Sequence, residues 1–209
     1  MIHLSSKNTA FHIRWKNLRI DREMLGQIVR YGLPSGVQNS VIGLANVIVQ
    51  TNINCFGKIA MAAYGTYAKL EGFAFLPITS FTMALTTYTS QNLGACEYER
   101  AKKGARFGII CAMILAELIG VAMYIFMPKL AALFSSTPEV IAYATKQART
   151  IALFFCLLAY SHAVASVCRG AGKAFVPMTI MLVVWCVLRI TYITIAMRIS
   201  HDIQLVYFA

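Results

Sequence analysis

Acidic and amide side chains that lie inside apolar stretches are the residues of this sequence with the clearest potential for chemistry. Glu71 lies within one such stretch, and Tyr67 precedes it by one helical turn. A carboxyl group inside a membrane is costly, so it usually marks an ion pathway or pairs with a base. We therefore interpret Glu71 as a site that binds and releases a proton or cation. Two alternatives stay open: an ion pair with Arg189 that only joins two helices, and a position near the membrane interface.

Further residues share the predicted helical face of Glu71. On a helix, Tyr67, Glu71, Ile78 and Thr82 lie along one side. An apolar face that carries an acid, a tyrosine and a threonine suits a cavity for cationic amphiphiles. Pro77 lies in the same stretch and predicts a kink, which serves either as a hinge or as a static bend.

A row of amides marks the first apolar stretch, residues 33–54. At about 100° per residue, Asn39, Asn46, Gln50 and Asn54 fall on one stripe. Unpaired amides in hydrocarbon cost several kcal/mol, so the stripe does not face lipid. It either joins helices through hydrogen bonds or lines a wet cavity, and its length of over four turns favours the cavity. The candidate cavity residues are therefore Asn39, Asn46, Gln50, Asn54, Tyr67 and Thr82.

Two other charged residues lie in apolar stretches and are predicted to be structural ion-pair residues. Glu117 is expected to form a hydrogen bond with a neighbouring helix, and Arg189 is expected to pair with an acid. Catalysis is not indicated, since the sequence offers neither a Ser-His-Asp set nor a carboxylate pair. The six cysteines lack metal-ligand spacing. We predict no enzyme activity, no metal and no cofactor.

The composition identifies the elements that position these residues. The 209 residues are 58% hydrophobic and 13% charged, with a mean hydropathy of +0.64, which is typical of an integral membrane protein. The sequence predicts an all-α, polytopic membrane helical bundle. Five complete spans are expected, followed by the start of a sixth from about residue 203: these are residues 33–54, 60–89, 107–127, 150–167 and 175–197.

Basic residues define the predicted orientation. The first 30 residues and the connections after the second and fourth spans carry more than twice as many lysines and arginines as the opposite side. This bias predicts a cytoplasmic N-terminal segment for a multi-pass protein. It also explains the net charge of +11 without a nucleic acid partner. The lipid bilayer is the expected partner.

Four motifs, in this order, resemble a known family. They are YGLPSGVQN at 31–39, NCFGKIAMAA at 54–63, QNLGA at 91–95 and CRGAGKAFVP at 168–177. The chain resembles the multidrug and toxic compound extrusion (MATE) family of efflux transporters over about residues 15–209. The resemblance implies two lobes of six helices, with residues 31–209 as part of the C-terminal lobe and residues 1–30 as the cytoplasmic linker between lobes.

The resemblance implies a secondary active antiporter that exports organic cations or amphipathic compounds in exchange for H⁺ or Na⁺. It also implies the N-terminal lobe of the same transporter as a partner, so the chain alone is expected to be inactive. Acids that some members carry in the helix of the amide stripe are absent here, which leaves Glu71 as the coupling candidate. The alternatives are a lipid-linked oligosaccharide flippase of the same superfamily and a structural membrane subunit.

Overall fold

The computed structural model describes residues 21–199, and every regular element in that range is helical. The predicted all-α fold is confirmed for this part of the chain, whereas the sixth span predicted from residue 203 lies outside it. The helices in chain order are α1 (Arg22–Asn54), α2 (Lys58–Gly94), α3 (Tyr98–Ala132), α4 (Pro138–Ala152), α5 (Phe155–Gly170), α6 (Phe175–Leu182), a π-helical segment (Val183–Leu188) and α7 (Arg189–Ile199).

The chain divides into two units, residues 1–33 and 34–209. The described part of the first unit is the start of α1. There the carboxylate of Asp21 accepts hydrogen bonds from the backbone N–H groups of Glu23 and Met24, at 2.8 and 3.3 Å. Asp21 therefore caps α1, because it satisfies N–H groups that have no partner within the helix.

Each predicted span coincides with helix, but the fourth is broken. The helix of that region starts at Pro138 rather than near residue 150, and α4 and α5 bend by 58° where they meet. By length and composition, α3 and residues 175–195 suffice to cross a membrane within the described range, and the bent pair adds a third span if counted as one. α1 and α2 are long, with 33 and 37 residues, but neither passes this test of length and composition.

Small residues on the inside and large ones on the outside characterise α3. Its buried stripe consists of Ala101, Ala105, Gly108, Ala112, Ala116 and Gly120. Its exposed stripe carries Phe107, Ile110, Ile114, Leu118 and Ile125. Membrane helices associate through close packing of small residues, while lipid solvates the large apolar ones. This pattern is typical of a helix that faces lipid on one side and other helices on the other.

The buried core joins α2, α3, α4 and α5. Tyr67 and Leu70 of α2 pack with Met127 of α3 and Ala148 of α4. A second cluster contains Ile78 of α2, Ala116 of α3, and Phe155 and Ala159 of α5. A separate cluster contains Val49, Ile53, Ala60 and Ile193, and it joins α1 to α7 and the start of α2. The helix pair of α1 and α7 is thus anchored apart from the main core.

Two glycines are required by their surroundings. A Cβ atom built on Gly120 would lie 2.6 Å from the backbone oxygen of Ala152, so α3 and the end of α4 approach too closely for any side chain. Gly172 has a φ angle of 76° in the turn after α5, a conformation that other residues rarely adopt. The motif CRGAGKAFVP therefore encodes the connection from α5 to α6.

Candidate functional site

A cavity of about 670 Å³ lies between α1, α2, α5 and the α6–α7 helix. We call it the Glu71 cavity. Three of the predicted site residues, Asn46, Gln50 and Glu71, lie in its wall together with Arg189. The remaining lining residues are Ile42, Val47, Tyr64, Ala68, Gly72, Phe75, Leu158, His162 and Met181. The cavity thus combines amides, one acid, one base and aromatic rings.

Glu71 is held by a residue from the preceding turn of its own helix. The hydroxyl group of Tyr67 donates a hydrogen bond to the Oε1 atom of Glu71 at 2.9 Å. Tyr67 itself is buried, with 2% of its surface exposed, and packs in the main core rather than in the cavity wall. Because the core holds Tyr67 in place, its hydrogen bond also fixes the side-chain rotamer of Glu71. This bond uses Oε1 of Glu71 and does not involve Oε2.

Arg189 faces the same cavity from the opposite side. Its Nη1 atom donates a hydrogen bond to the Oδ1 atom of Asn46 at 2.7 Å. Arg189 is the first residue of α7, directly after the π-helical segment. A π-helical turn contains an extra residue, so it changes the direction of every side chain that follows and often occurs at functional sites. The sequence pattern does not indicate this segment, since Val183–Leu188 is uniformly apolar.

The amide stripe has more than one role. Asn46 and Gln50 lie in the cavity wall, and the Nε2 atom of Gln50 donates to the Oδ1 atom of Asn54 at 3.1 Å. Asn54 and Asn39 are exposed and lie outside the wall. Besides Asn46, which bonds Arg189 of α7, a second amide joins helices: it is Gln38, which is not on the stripe. It is 3% exposed and donates to the Sδ atom of Met181 at 2.8 Å.

Gln38 also accepts a hydrogen bond from α5. The Nη2 atom of Arg169 lies 3.4 Å from the Oε1 atom of Gln38. One buried amide of α1 therefore contacts both the end of α5 and α6. Gln38 is buried, whereas the neighbouring amide, Asn39, is exposed. The sequence signal for this role is the position of Gln38 on the apolar side of α1, next to Ala45 and Val49 in helical register.

Thr82 lies outside the Glu71 cavity, although it shares a helical face with Glu71. Its hydroxyl group donates to the backbone oxygen of Thr79 at 2.9 Å. Beyond Pro77, α5 packs against this face of α2: Thr86 donates to the backbone oxygen of Ser166 at 3.1 Å, and Thr89 is buried. The face is thus open near Glu71 and closed by α5 about four turns later, at Thr86.

Aromatic residues complete the wall beside Glu71, and the sequence reasoning did not select them. The ring of Phe75 packs edge to face against Phe155 at 6.0 Å and against His162 at 5.9 Å between centroids. Tyr64 lies in the same wall. The signal that identifies Tyr64 and Phe75 is their spacing from Glu71, seven residues before it and four residues after it, which places them on one helical face.

Glu117 does not belong to the cavity wall. Its Oε2 atom is buried and has no hydrogen-bond partner among residues 21–199, so the bond predicted to a neighbouring helix is not made by this oxygen. Arg189, predicted to pair with an acid, lies in the cavity wall together with Glu71. No group of three or more His, Cys, Asp or Glu side chains in the described range is arranged to hold a metal ion.

Comparison with known proteins identifies the family. A sequence profile of the MatE family matches residues 34–195. The chain is 24% identical over 189 residues to a protein of Bacillus subtilis named probable multidrug resistance protein YoeA, which covers 90% of this chain and 40% of that protein. It is 26% identical over 141 residues to the FAD transporter of Shewanella oneidensis, which covers 68% of this chain and 30% of that protein.

A solved structure shares the fold. The chain superposes with a TM-score of 0.85 and 18% identity on a MOP superfamily transporter from Pyrococcus furiosus, over 96% of this chain and 46% of that one. The chain thus spans less than half the length of these relatives. The profile covers more than three quarters of the chain, and the resemblance inferred from the four motifs is confirmed. The chain belongs to the MatE family, the multidrug and toxic compound extrusion (MATE) transporters.

Proposed function

We propose that this chain supplies one lobe of a secondary active exporter, and that the Glu71 cavity binds organic cations in exchange for H⁺ or Na⁺. The observation that carries the proposal is the position of Glu71. Its carboxylate lies in the wall of a cavity that also holds the rings of Tyr64 and Phe75. Aromatic faces and a carboxylate together attract a cationic amphiphile, because both stabilise positive charge in an environment with little water.

The coupling step follows from competition for one carboxylate. When the carboxylate binds a proton or Na⁺, it no longer attracts an organic cation, so the two ligands exclude one another. The hydrogen bond from Tyr67 keeps the acid in one place in both states. Mutual exclusion at a single site is sufficient for exchange of two cations by alternating access.

A second lobe is part of this proposal. The relatives named above are more than twice as long as the segment that matches them, and the predicted partner is the N-terminal lobe of the same transporter. We propose that the chain alone does not transport. The plasma membrane as its location, and the cytoplasmic side for its N-terminal segment, belong to the same proposal.

The test uses the complete transporter in proteoliposomes with an imposed proton or sodium gradient. Glu71→Gln is expected to reduce gradient-driven transport of a fluorescent organic cation by at least about tenfold, while Glu99→Gln retains it. Glu99 is the matched control because it is an exposed acid in the first turn of α3. Transport at the wild-type rate by Glu71→Gln, with normal protein yield, contradicts the proposal.

A second candidate function is transport of an anionic amphiphile, which Arg189 in the cavity wall favours. The similarity to a protein named FAD transporter agrees with it. The same proteoliposomes distinguish the two: a cation exporter loses activity with Glu71→Gln, whereas an anion transporter loses it with Arg189→Gln. Competition by an organic cation or an organic phosphate then identifies the substrate class.

A further inference from the structure

The second large depression of the molecule lies away from the Glu71 cavity, between α3 and α4. We call it the α3–α4 groove, and its volume is about 730 Å³. Its wall combines two basic residues, two threonines and one tyrosine with apolar side chains: the lining residues are Tyr124, Pro128, Pro138, Ile141, Ala142, Thr145, Lys146, Arg149, Thr150 and Leu153. Nothing in the proposed transport step uses these residues.

We propose that the α3–α4 groove binds the phosphate headgroup of an anionic phospholipid. Lys146 and Arg149 lie one turn apart on α4, and both are exposed. The guanidinium group of Arg149 lies 5.2 Å from the ring centroid of Tyr124 on α3, which holds it over the groove by a cation–π contact. A rigidly held guanidinium and a mobile ammonium group are the usual ligands of a phosphate group.

A buried hydroxyl group points to a ligand independently of these charges. Thr145 lies in the wall of the groove and is 9% exposed. Its Oγ1 atom is buried and has no hydrogen-bond partner among the described residues. Threonine hydroxyls in membrane helices usually donate to a backbone oxygen of the previous turn, as Thr150 does to Lys146 at 3.0 Å. A buried donor without an acceptor is destabilising, and rotation of the Thr145 side chain towards the groove would let a phosphate oxygen accept its hydrogen bond.

The amphipathic character of α4 leads us to infer that the groove lies at the level of lipid headgroups. One face of α4, with Val140, Ala144, Ala148 and Ala152, is buried in the core, and the opposite side carries the basic residues. α4 bends by 58° against α5, and Leu153 and Phe154 are exposed at the bend. A short amphipathic helix with basic and apolar exposed residues is typical of the membrane interface. Basic side chains near a membrane surface attract anionic headgroups, and in the predicted orientation this groove faces the headgroups of the outer leaflet.

The test measures lipid binding by the delipidated full-length protein with native mass spectrometry and thermal unfolding. Phosphatidylglycerol is expected to bind and to raise the melting temperature, while phosphatidylcholine and inorganic phosphate are not. The double variant Lys146→Gln/Arg149→Gln is expected to bind phosphatidylglycerol about 25-fold more weakly, at about fivefold for each basic residue. The matched control is Lys102→Gln/Arg106→Gln, which removes two exposed charges one turn apart near the other end of α3.

Thr145→Val gives a second readout that does not depend on charge. Loss of an unpartnered hydroxyl is expected to raise the melting temperature of the delipidated protein and to reduce the further rise caused by phosphatidylglycerol. Three results overturn the proposal: equal binding of phosphatidylglycerol by the double variant and its control, equal binding of phosphatidylcholine, or displacement of the lipid by millimolar inorganic phosphate. The last result would identify a site for soluble phosphate instead.

Discussion

The Nη1 atom of Arg189 lies 2.7 Å from the Oδ1 atom of Asn46, and this bond joins α7 to α1 across the wall of the Glu71 cavity. α1 has few other polar contacts with the remaining helices among the described residues; Gln38 provides the buried one, with Met181 and Arg169. The shape of the cavity on this side therefore depends on two amide side chains of α1.

Loss of the Asn46 amide is expected to destabilise this side of the cavity. Asn46→Leu removes a hydrogen bond to a charged group and is expected to lower the free energy of unfolding by about 1–2 kcal/mol, measured by denaturant titration in mixed micelles. Asn39→Leu is the control, because Asn39 is exposed on the same helix and lies outside the cavity wall. Equal effects of both substitutions would show that the bond to Arg189 contributes nothing.

The π-helical segment predicts a defined effect of a deletion. Removal of Val184 is expected to convert Val183–Leu188 to α-helix and to turn α7 by about 100°. Ile193, which is 1% exposed against α1, would then become accessible. In a cysteine-free background, Ile193→Cys is expected to resist a maleimide reagent with Val184 present and to react with Val184 deleted. Ile195→Cys, an exposed position, is expected to react in both cases; continued protection of position 193 after the deletion contradicts the prediction.

Tyr67 and Glu71 are expected to be energetically coupled. The hydroxyl of Tyr67 donates to Oε1 of Glu71 at 2.9 Å. Tyr67→Phe removes this hydrogen bond, and Glu71→Gln weakens the same bond. A double-mutant cycle is expected to give a coupling energy of about 1–2 kcal/mol in the free energy of unfolding. The same cycle with Tyr160→Phe, an exposed tyrosine of α5, is expected to give about zero. Coupling below about 0.3 kcal/mol for the first pair would mean that Tyr67 does not hold the acid.

The close approach of α3 to the end of α4 predicts the effect of a single methyl group. Gly120→Ala places a Cβ atom 2.6 Å from the backbone oxygen of Ala152 and 3.3 Å from the Cβ atom of Phe155. Because a backbone oxygen cannot move like the end of a side chain, the free energy of unfolding is expected to fall by about 1–3 kcal/mol. Gly43→Ala, which meets nothing within 4 Å, is expected to be neutral or slightly stabilising. Equal melting temperatures for the two variants would contradict the contact.

The sequence predicted the helices and the family better than it predicted the site. Apolar length alone specifies helices in a membrane, since every backbone group must find its partner within the helix. The sequence does not predict the break between α4 and α5, because residues 150–154, where the bend occurs, contain neither proline nor glycine. Its position depends on how Ala152 packs against Gly120, a contact between residues far apart in sequence.

For the site, helical periodicity predicted that Asn46 and Gln50 share one face of α1 and identified the face of α2 that carries Glu71. The structure brings these three residues into the wall of one cavity. Periodicity did not exclude Thr82, because whether a helical face is open depends on the neighbouring helix, and α5 closes the Thr82 side of α2 while it leaves a cavity beside Glu71. Sequence reasoning named Arg189 as an alternative partner of Glu71, and both residues line this cavity; it did not predict the π-helical turn before α7, which has no sequence signature here.

The thirteen residues of the Glu71 cavity come from α1, α2, α5, α6 and α7, whereas α3 and α4 contribute none of them. α1, α6 and α7 contribute to the wall but not to the two clusters that join α2, α3, α4 and α5, whereas α2 and α5 contribute to both the wall and these clusters. Under the proposed function, changes of substrate range that spare the main core are therefore expected on the α1 and α7 side of the cavity.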